Sequence, residues 1–154
     1  MKISKRDFYK YIYKIKKYKY IKQILKLYKQ HGITSVFKHS RNVAYRSYIL
    51  AKKLEKRYNI KFDYDDLIIG AYLHDLYLYD WHEKSNEHKL HGFTHPKVAS
   101  QNAKKLCNIN NKEQQIIESH MWPLTITKVP KSKEAMIVSM VDKYSAVLET
   151  VKRK

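Results

Sequence analysis

Ile68-Ile69-Gly70-Ala71-Tyr72-Leu73-His74-Asp75-Leu76 is an apolar helical run that ends on a histidine and an aspartate side by side. Asp63, followed three residues later by Asp66, opens the helix, and Leu67, Ile68, Ala71 and Leu73 carry it to His74. An imidazole and a carboxylate this close together can grip one metal ion from two sides. The pair alone is common, so its surroundings decide its meaning. His39 lies upstream, His95 and His120 lie downstream, and Asp142 sits near the C-terminus, which gives six potential ligands in the order His, His-Asp, His, His, Asp.

Working outward, every candidate stands on or at the end of an expected helix. Thr34 or Ser35 caps a helix carrying Val36, His39, Val43, Ile49, Leu50 and Leu54 on or near one face. From Leu76 to Thr94 no period holds, and this loop is rich in His, Asp, Glu and aromatic residues; long ordered loops tend to be functional. His95-Pro96 is read as the start of the next helix, with proline in its favoured first turn, running to about Leu106. Asn110 and Glu113 make a capping-box start for the helix of Ile116, Ile117 and His120, which Pro123 stops. Ser132 caps a final helix through Ala135, Val138, Val141, Asp142, Ser145 and Leu148. Ahead of all these, Phe8, Ile12, Ile15 and Tyr18, then Ile21, Ile24, Leu25 and Tyr28, recur at helical spacing among lysines. They predict one or two amphipathic helices ending at His31-Gly32, with Gly32 in a left-handed turn.

With 154 residues, three glycines and three prolines, the chain reads as one all-α domain large enough for a single core. Cys107 is the sole cysteine, which excludes an intramolecular disulfide and a thiolate metal cluster and fits a reducing, cytoplasmic environment. The basic N-terminus lacks the pattern of a signal peptide, and no stretch approaches ~18 uninterrupted apolar residues, so no membrane span is expected. The formal net charge of +18 is uneven: residues 1 to 30 carry eleven Lys/Arg against Asp7 alone, and residues 31 to 62 carry eight against Glu55. From Asp63 onward the charges nearly cancel. The basic N-terminal part has two readings, a solvated lysine face and a surface for nucleic acid or anionic lipid through residues 1 to 62.

Imidazole nitrogen with carboxylate oxygen suits first-row transition metals, whereas magnesium and calcium favour more oxygen ligands. Asp142 lies between Met140-Val141 and Ala146-Val147, and a carboxylate buried there needs a cation or strong donors.

At these residues the chain resembles the HD-domain superfamily of metal-dependent phosphohydrolases, all-helical proteins whose ligands follow the order found here. His39 in Lys-His-Ser-Arg-Asn-Val-Ala matches the first family histidine, Ala71-Tyr72-Leu73-His74-Asp75 the name-giving pair, and Val141-Asp142-Lys143-Tyr144 the final aspartate. The resemblance spans about Ser35 to Glu149. It implies a single compact helical bundle over residues 35–154 and leaves outside it residues 1–34, which the spacing and charge above predict as a basic amphipathic helical extension packed on the domain. His95 in His-Pro-Lys-Val-Ala and His120 in Ile-Ile-Glu-Ser-His resemble the extra histidines of two-metal members, in which the aspartate of the pair, here Asp75, bridges both ions. Met121 stands where some such members have a second histidine. The short format with extra histidines is similar to HD-type hydrolases of dinucleoside polyphosphates.

The resemblance implies one or two divalent transition metal ions (Fe, Mn, Co, Ni or Zn), held by His39, His74, Asp75, His95, His120 and Asp142. It also implies hydrolysis of a small phosphorylated substrate, nucleotide-like, by a metal-activated water, with His74 and Asp75 at the catalytic centre. His91, Lys143 and Arg46 are candidates for holding phosphate or protonating the leaving group, and Trp122 and Trp81 for stacking a base. For His91, contact with substrate, support of a ligand and exchange with His95 as ligand all stay open. Two other readings remain beside this one: an HD-type di-iron oxygenase, and a non-catalytic nucleic-acid-binding module built on the basic N-terminal surface.

Overall fold

The computed structural model describes residues 4–31, 33–82 and 90–151. Among them the chain forms seven helices and one short hairpin: α1 (Lys5–Ile12), α2 (Tyr18–Leu25), β1 (Lys29–His31), β2 (Thr34–Ser35), α3 (Val36–Tyr58), α4 (Tyr64–Leu73), α5 (His91–Cys107), α6 (Asn111–Ser119) and α7 (Lys133–Val151). Short-range chemistry sets most boundaries. Ser35 accepts from the Lys38 N–H and starts α3, and Asn59, in the left-handed conformation at φ 55°, ends it. Asp63 caps α4 through the Asp66 N–H. Asn110 and Glu113 form a reciprocal capping box on α6, both bonds 2.8 Å long. The Ser132 hydroxyl accepts from the Ala135 N–H at the start of α7.

α4 is the central helix. Its residues from Asp66 to Leu73, Ile69 excepted, are buried, because apolar side chains stand on all its faces and leave no side suited to water. It packs against α1, α3, α6 and α7. α6 comes so close that a Cβ on Gly70 would lie 2.8 Å from Ile116 Cγ2. Gly70→Ala is therefore expected to destabilise the protein by about 1–3 kcal/mol through overpacking. Urea denaturation would check this, and an unchanged midpoint would contradict it. The N-terminal helices are anchored by Phe8, Ile12, Ile15, Ile21 and Leu25, all buried, with Phe8 edge-on to Tyr45 at 5.1 Å. No described helix is long and apolar enough to cross a membrane.

The structure departs from the sequence expectation at two places, the hairpin and the start of α5. β1 and β2 form an antiparallel hairpin where only helix and turn were expected, and Gly32 lies outside the described residues. The expected loop from Leu76 to Thr94 is partly outside them also, at residues 83–89. α5 begins at His91 rather than His95, which puts Pro96 in its second turn. The Leu90 carbonyl accepts from the N–H groups of Phe93 and Thr94 and from the Thr94 hydroxyl, closing a turn before the proline. That turn needs nothing from the N–H that Pro96 lacks.

Candidate metal centre

The ends of α4 and α6, the body of α3 and α7 and the first turns of α5 bring all six ligand candidates together. His39, His74, Asp75, His95, His120 and Asp142 are each at most 7 % exposed. Their atoms fall into two groups that share one carboxylate. His39 Nε2 lies 2.9 Å from Asp142 Oδ1 and 3.5 Å from Asp75 Oδ2, and His74 Nε2 lies 3.2 Å from that Asp75 oxygen and 3.4 Å from Asp142 Oδ1. On the other side His95 Nε2 lies 3.2 Å and His120 Nε2 3.6 Å from Asp75 Oδ1. Two sets of three, His39–His74–Asp142 and His74–Asp75–His120, are close enough to hold a metal ion.

The rings are prepared for coordination. In His74, His95 and His120 the Nδ1 lies 2.7 Å from the carbonyl of Ala71, His91 and Ile117 respectively, so each donates from Nδ1 and turns its Nε2 inward, to hold a metal ion or, without one, a proton. His39 instead sets its Nδ1 2.9 Å from Glu149 Oε2, a carboxylate–histidine pair of the kind that raises a ligand's basicity. Two inward lone pairs, those of His95 and His120, face each other at 2.9 Å. Uncharged, they would repel, so the contact calls for a proton or a metal cation between them. His74 Nε2 and Asp75 Oδ1 are buried and make no hydrogen bond. This donor set of imidazole and carboxylate, with orphaned atoms aimed inward, fits a divalent transition metal.

Charges in the metal-free site support the same reading. Burial opposes ionisation of Asp75 and Asp142, but the imidazoles of His74 and its neighbours outweigh it and hold both carboxyls well below their usual range. Burial likewise opposes the His39 imidazolium, yet hydrogen bonds with Asp142 and Glu149 raise its pKa from 6.5 to about 9. Burial, reinforced by the charges of His74 and His95, lowers that of His120 to about 3. His39 is raised, so its stabilising charge is fully present below about pH 6.5 and is lost as pH rises through about 9. The carboxylates are depressed and lose theirs only in acid. The metal-free protein is therefore expected to melt at a progressively lower temperature from about pH 6.5 to 9.5; thermal melts across that range check this, and a flat profile would contradict it.

An HD domain family model matches residues 36–147. The chain belongs to the HD domain family. No curated protein and no solved structure matches it. With the HD domain and its buried His/Asp cluster intact, this chain is a metal-dependent phosphohydrolase.

A cleft of about 560 Å³ opens onto the HD centre, lined by Asp75, His95, His120 and Asp142 together with Gln30, Trp81, His91, Met121 and Lys143. It is His95, not His91, that faces Asp75; His91 stacks on His95 at 4.4 Å and sets its Nδ1 2.9 Å from the Tyr79 hydroxyl. Lys143 lines the cleft with its Nζ donating to the carbonyls of His120 and Ser139 and to the Ser139 hydroxyl. Two other candidates are displaced. Arg46, two helical turns or about 10 Å beyond His39 along α3, donates to Ser145 Oγ at 2.7 Å, lies over the Tyr144 ring and does not line the cleft. Trp122 does not line it either: the turn after α6 directs Met121 to the cleft, while the Trp122 carbonyl accepts from Ser139 Oγ.

Two residues of the HD centre escaped sequence reading. Glu149 stands seven residues after Asp142, two helical turns on, and that spacing could have revealed it. Gln30 gave no such signal, because only the hairpin brings it to Asp75.

Proposed function

We propose that this HD domain hydrolyses a phosphoester or phosphoanhydride bond in a small nucleotide-like substrate. The observation that carries the reading is the pairing, within one cleft, of the phosphate-directed centre with an aromatic wall built from stacked rings. Trp81 stacks on His91 at 5.1 Å with 8° between the planes, and His91 stacks on His95, which faces Asp75. A base packed against the edges of those rings would leave its phosphates at the metal centre. The cleft volume is in the range of small-ligand sites.

A bound divalent metal lowers the pKa of a coordinated water towards neutrality and offsets charge on phosphoryl oxygens. The chain's own residues do the rest. His39, His74 and Asp142 present one group of donors, His95 and His120 another, and Asp75 reaches both. Lys143 brings a positive charge to the cleft wall, and burial lowers its pKa, partly offset by Asp142. A lysine so lowered serves better as a proton donor to the leaving oxygen.

Protein reconstituted separately with Fe(II), Mn, Co, Ni and Zn and offered nucleotides, dinucleoside polyphosphates and sugar phosphates tests the reading. Metal-dependent cleavage that favours the nucleotides is expected. Equal rates on non-nucleotide phosphates would overturn the base-binding wall, and turnover that requires dioxygen would reassign the chemistry to an oxygenase.

A second surface supports nucleic-acid contact. Lys22, Lys26 and Arg41 gather over the single Phe37 ring at 5.8, 5.5 and 5.4 Å, bringing three like charges together on the basic N-terminal part. Binding of RNA or DNA there would weaken steeply with salt, and affinity unchanged by Lys22→Ala with Lys26→Ala would exclude it.

A further inference from the structure

Gln30 lies ahead of the residues matched by the family, yet its side chain enters the middle of the metal centre. The hairpin explains how. Lys29 pairs with Ser35 and His31 with Thr34, so β1 advances two residues while β2 advances one. Gln30 is the extra residue of this bulge, and bulges re-aim side chains. Here the carboxamide is 7 % exposed. Its Nε2 donates to Asp75 Oδ2 at 2.6 Å, and its Oε1 accepts from the hydroxyl of Tyr77, itself buried two residues beyond Asp75.

Asp75 must present Oδ2 to His39 and His74 and Oδ1 to His95 and His120, so rotation of its carboxylate would misplace both oxygens at once. A donor fixed on Oδ2 stops that rotation. The donor also needs to be neutral. A lysine or arginine here would compete with a metal cation for the carboxylate, and an ionised glutamate would repel it. A glutamine held by Tyr77 meets both requirements.

We propose that Gln30 is a positioning residue that locks Asp75 in the orientation spanning the two donor groups and thereby tightens metal binding. The N-terminal segment is then part of the active centre. This inference rests on the cluster being a metal centre, and its test keeps the two claims apart.

Metal-free wild type, Gln30→Leu, Tyr77→Phe and the double variant would be titrated with Co²⁺, following its visible absorption, while thermal melting of each metal-free protein is recorded. Gln30→Leu removes both hydrogen bonds at similar volume, and Gln30→Met, of equal length, replaces it should the leucine variant not fold. Gln30→Leu is expected to weaken Co²⁺ affinity about 10- to 100-fold and to change the absorption. Tyr77→Phe should weaken it less, and the double variant hardly more than Gln30→Leu alone, because the two residues act as one unit. Wild-type affinity in Gln30→Leu or Gln30→Met, even with a lowered melting temperature, would show a purely structural role and overturn the proposal alone. Absence of Co²⁺ binding in the wild type would overturn both the proposal and the metal reading beneath it.

Discussion

Asp75→Asn is expected to reduce turnover at least a thousandfold, about 4 kcal/mol of activation free energy, with the fold retained. Asparagine has nearly the same shape, so packing at the end of α4 should survive. What is lost is the charge that both donor groups share: Oδ2 lies 3.2 Å from His74 Nε2 and Oδ1 lies 3.2 Å from His95 Nε2. A neutral amide offers one weak oxygen donor where the carboxylate offers two, and it cannot span both groups. Metal content should fall in parallel. Steady-state rates on the best substrate, with circular dichroism as a folding control, check this; turnover within tenfold of wild type would contradict it.

Asp142→Ala is expected to destabilise the metal-free fold by about 3 kcal/mol. Asp142 is buried on α7 at the cleft, where it sits 2.9 Å from His39 and 3.4 Å from His74. Both imidazoles have their pKa raised with its help against the pull of burial. Without it they must discharge or remain buried with less compensation. The variant should also lose the stabilisation that metal gives the wild type, about 2.7 kcal/mol at a hundredfold excess over the dissociation constant. Urea unfolding with and without metal measures both quantities, and a variant equal to wild type in either condition would contradict the assignment.

Features set by short-range chemistry were legible in the sequence. Ser35, Asp63, Asn110 with Glu113, and Ser132 announce helix starts because a cap needs only its own next few residues. The convergence of His39, His74, Asp75, His95, His120 and Asp142 could be anticipated because each sits on or beside an apolar helical face. Tertiary packing decided the rest. The start of α5 at His91 depends on the turn closed at Leu90 and on the stack of Trp81, His91 and His95, in which Trp81 comes from another segment. That Trp81 lines the cleft and Trp122 does not depends on how the chain turns after α6. Arg46 shares a helix face with His39 but not its height, and periodicity alone does not register that difference. Gln30 reaches Asp75 through a bulge that exists only once β1 pairs with β2.

The central claim is that Asp75 organises a transition-metal centre between His39, His74 and Asp142 on one side and His95 and His120 on the other. Diffraction from metal-loaded crystals, recorded on either side of the absorption edge of the bound metal, tests it most directly. An anomalous peak within coordination distance of an Asp75 carboxylate oxygen and at least two of the four histidines is expected. A peak confined to other residues, or loaded crystals without one at this cluster, would contradict it.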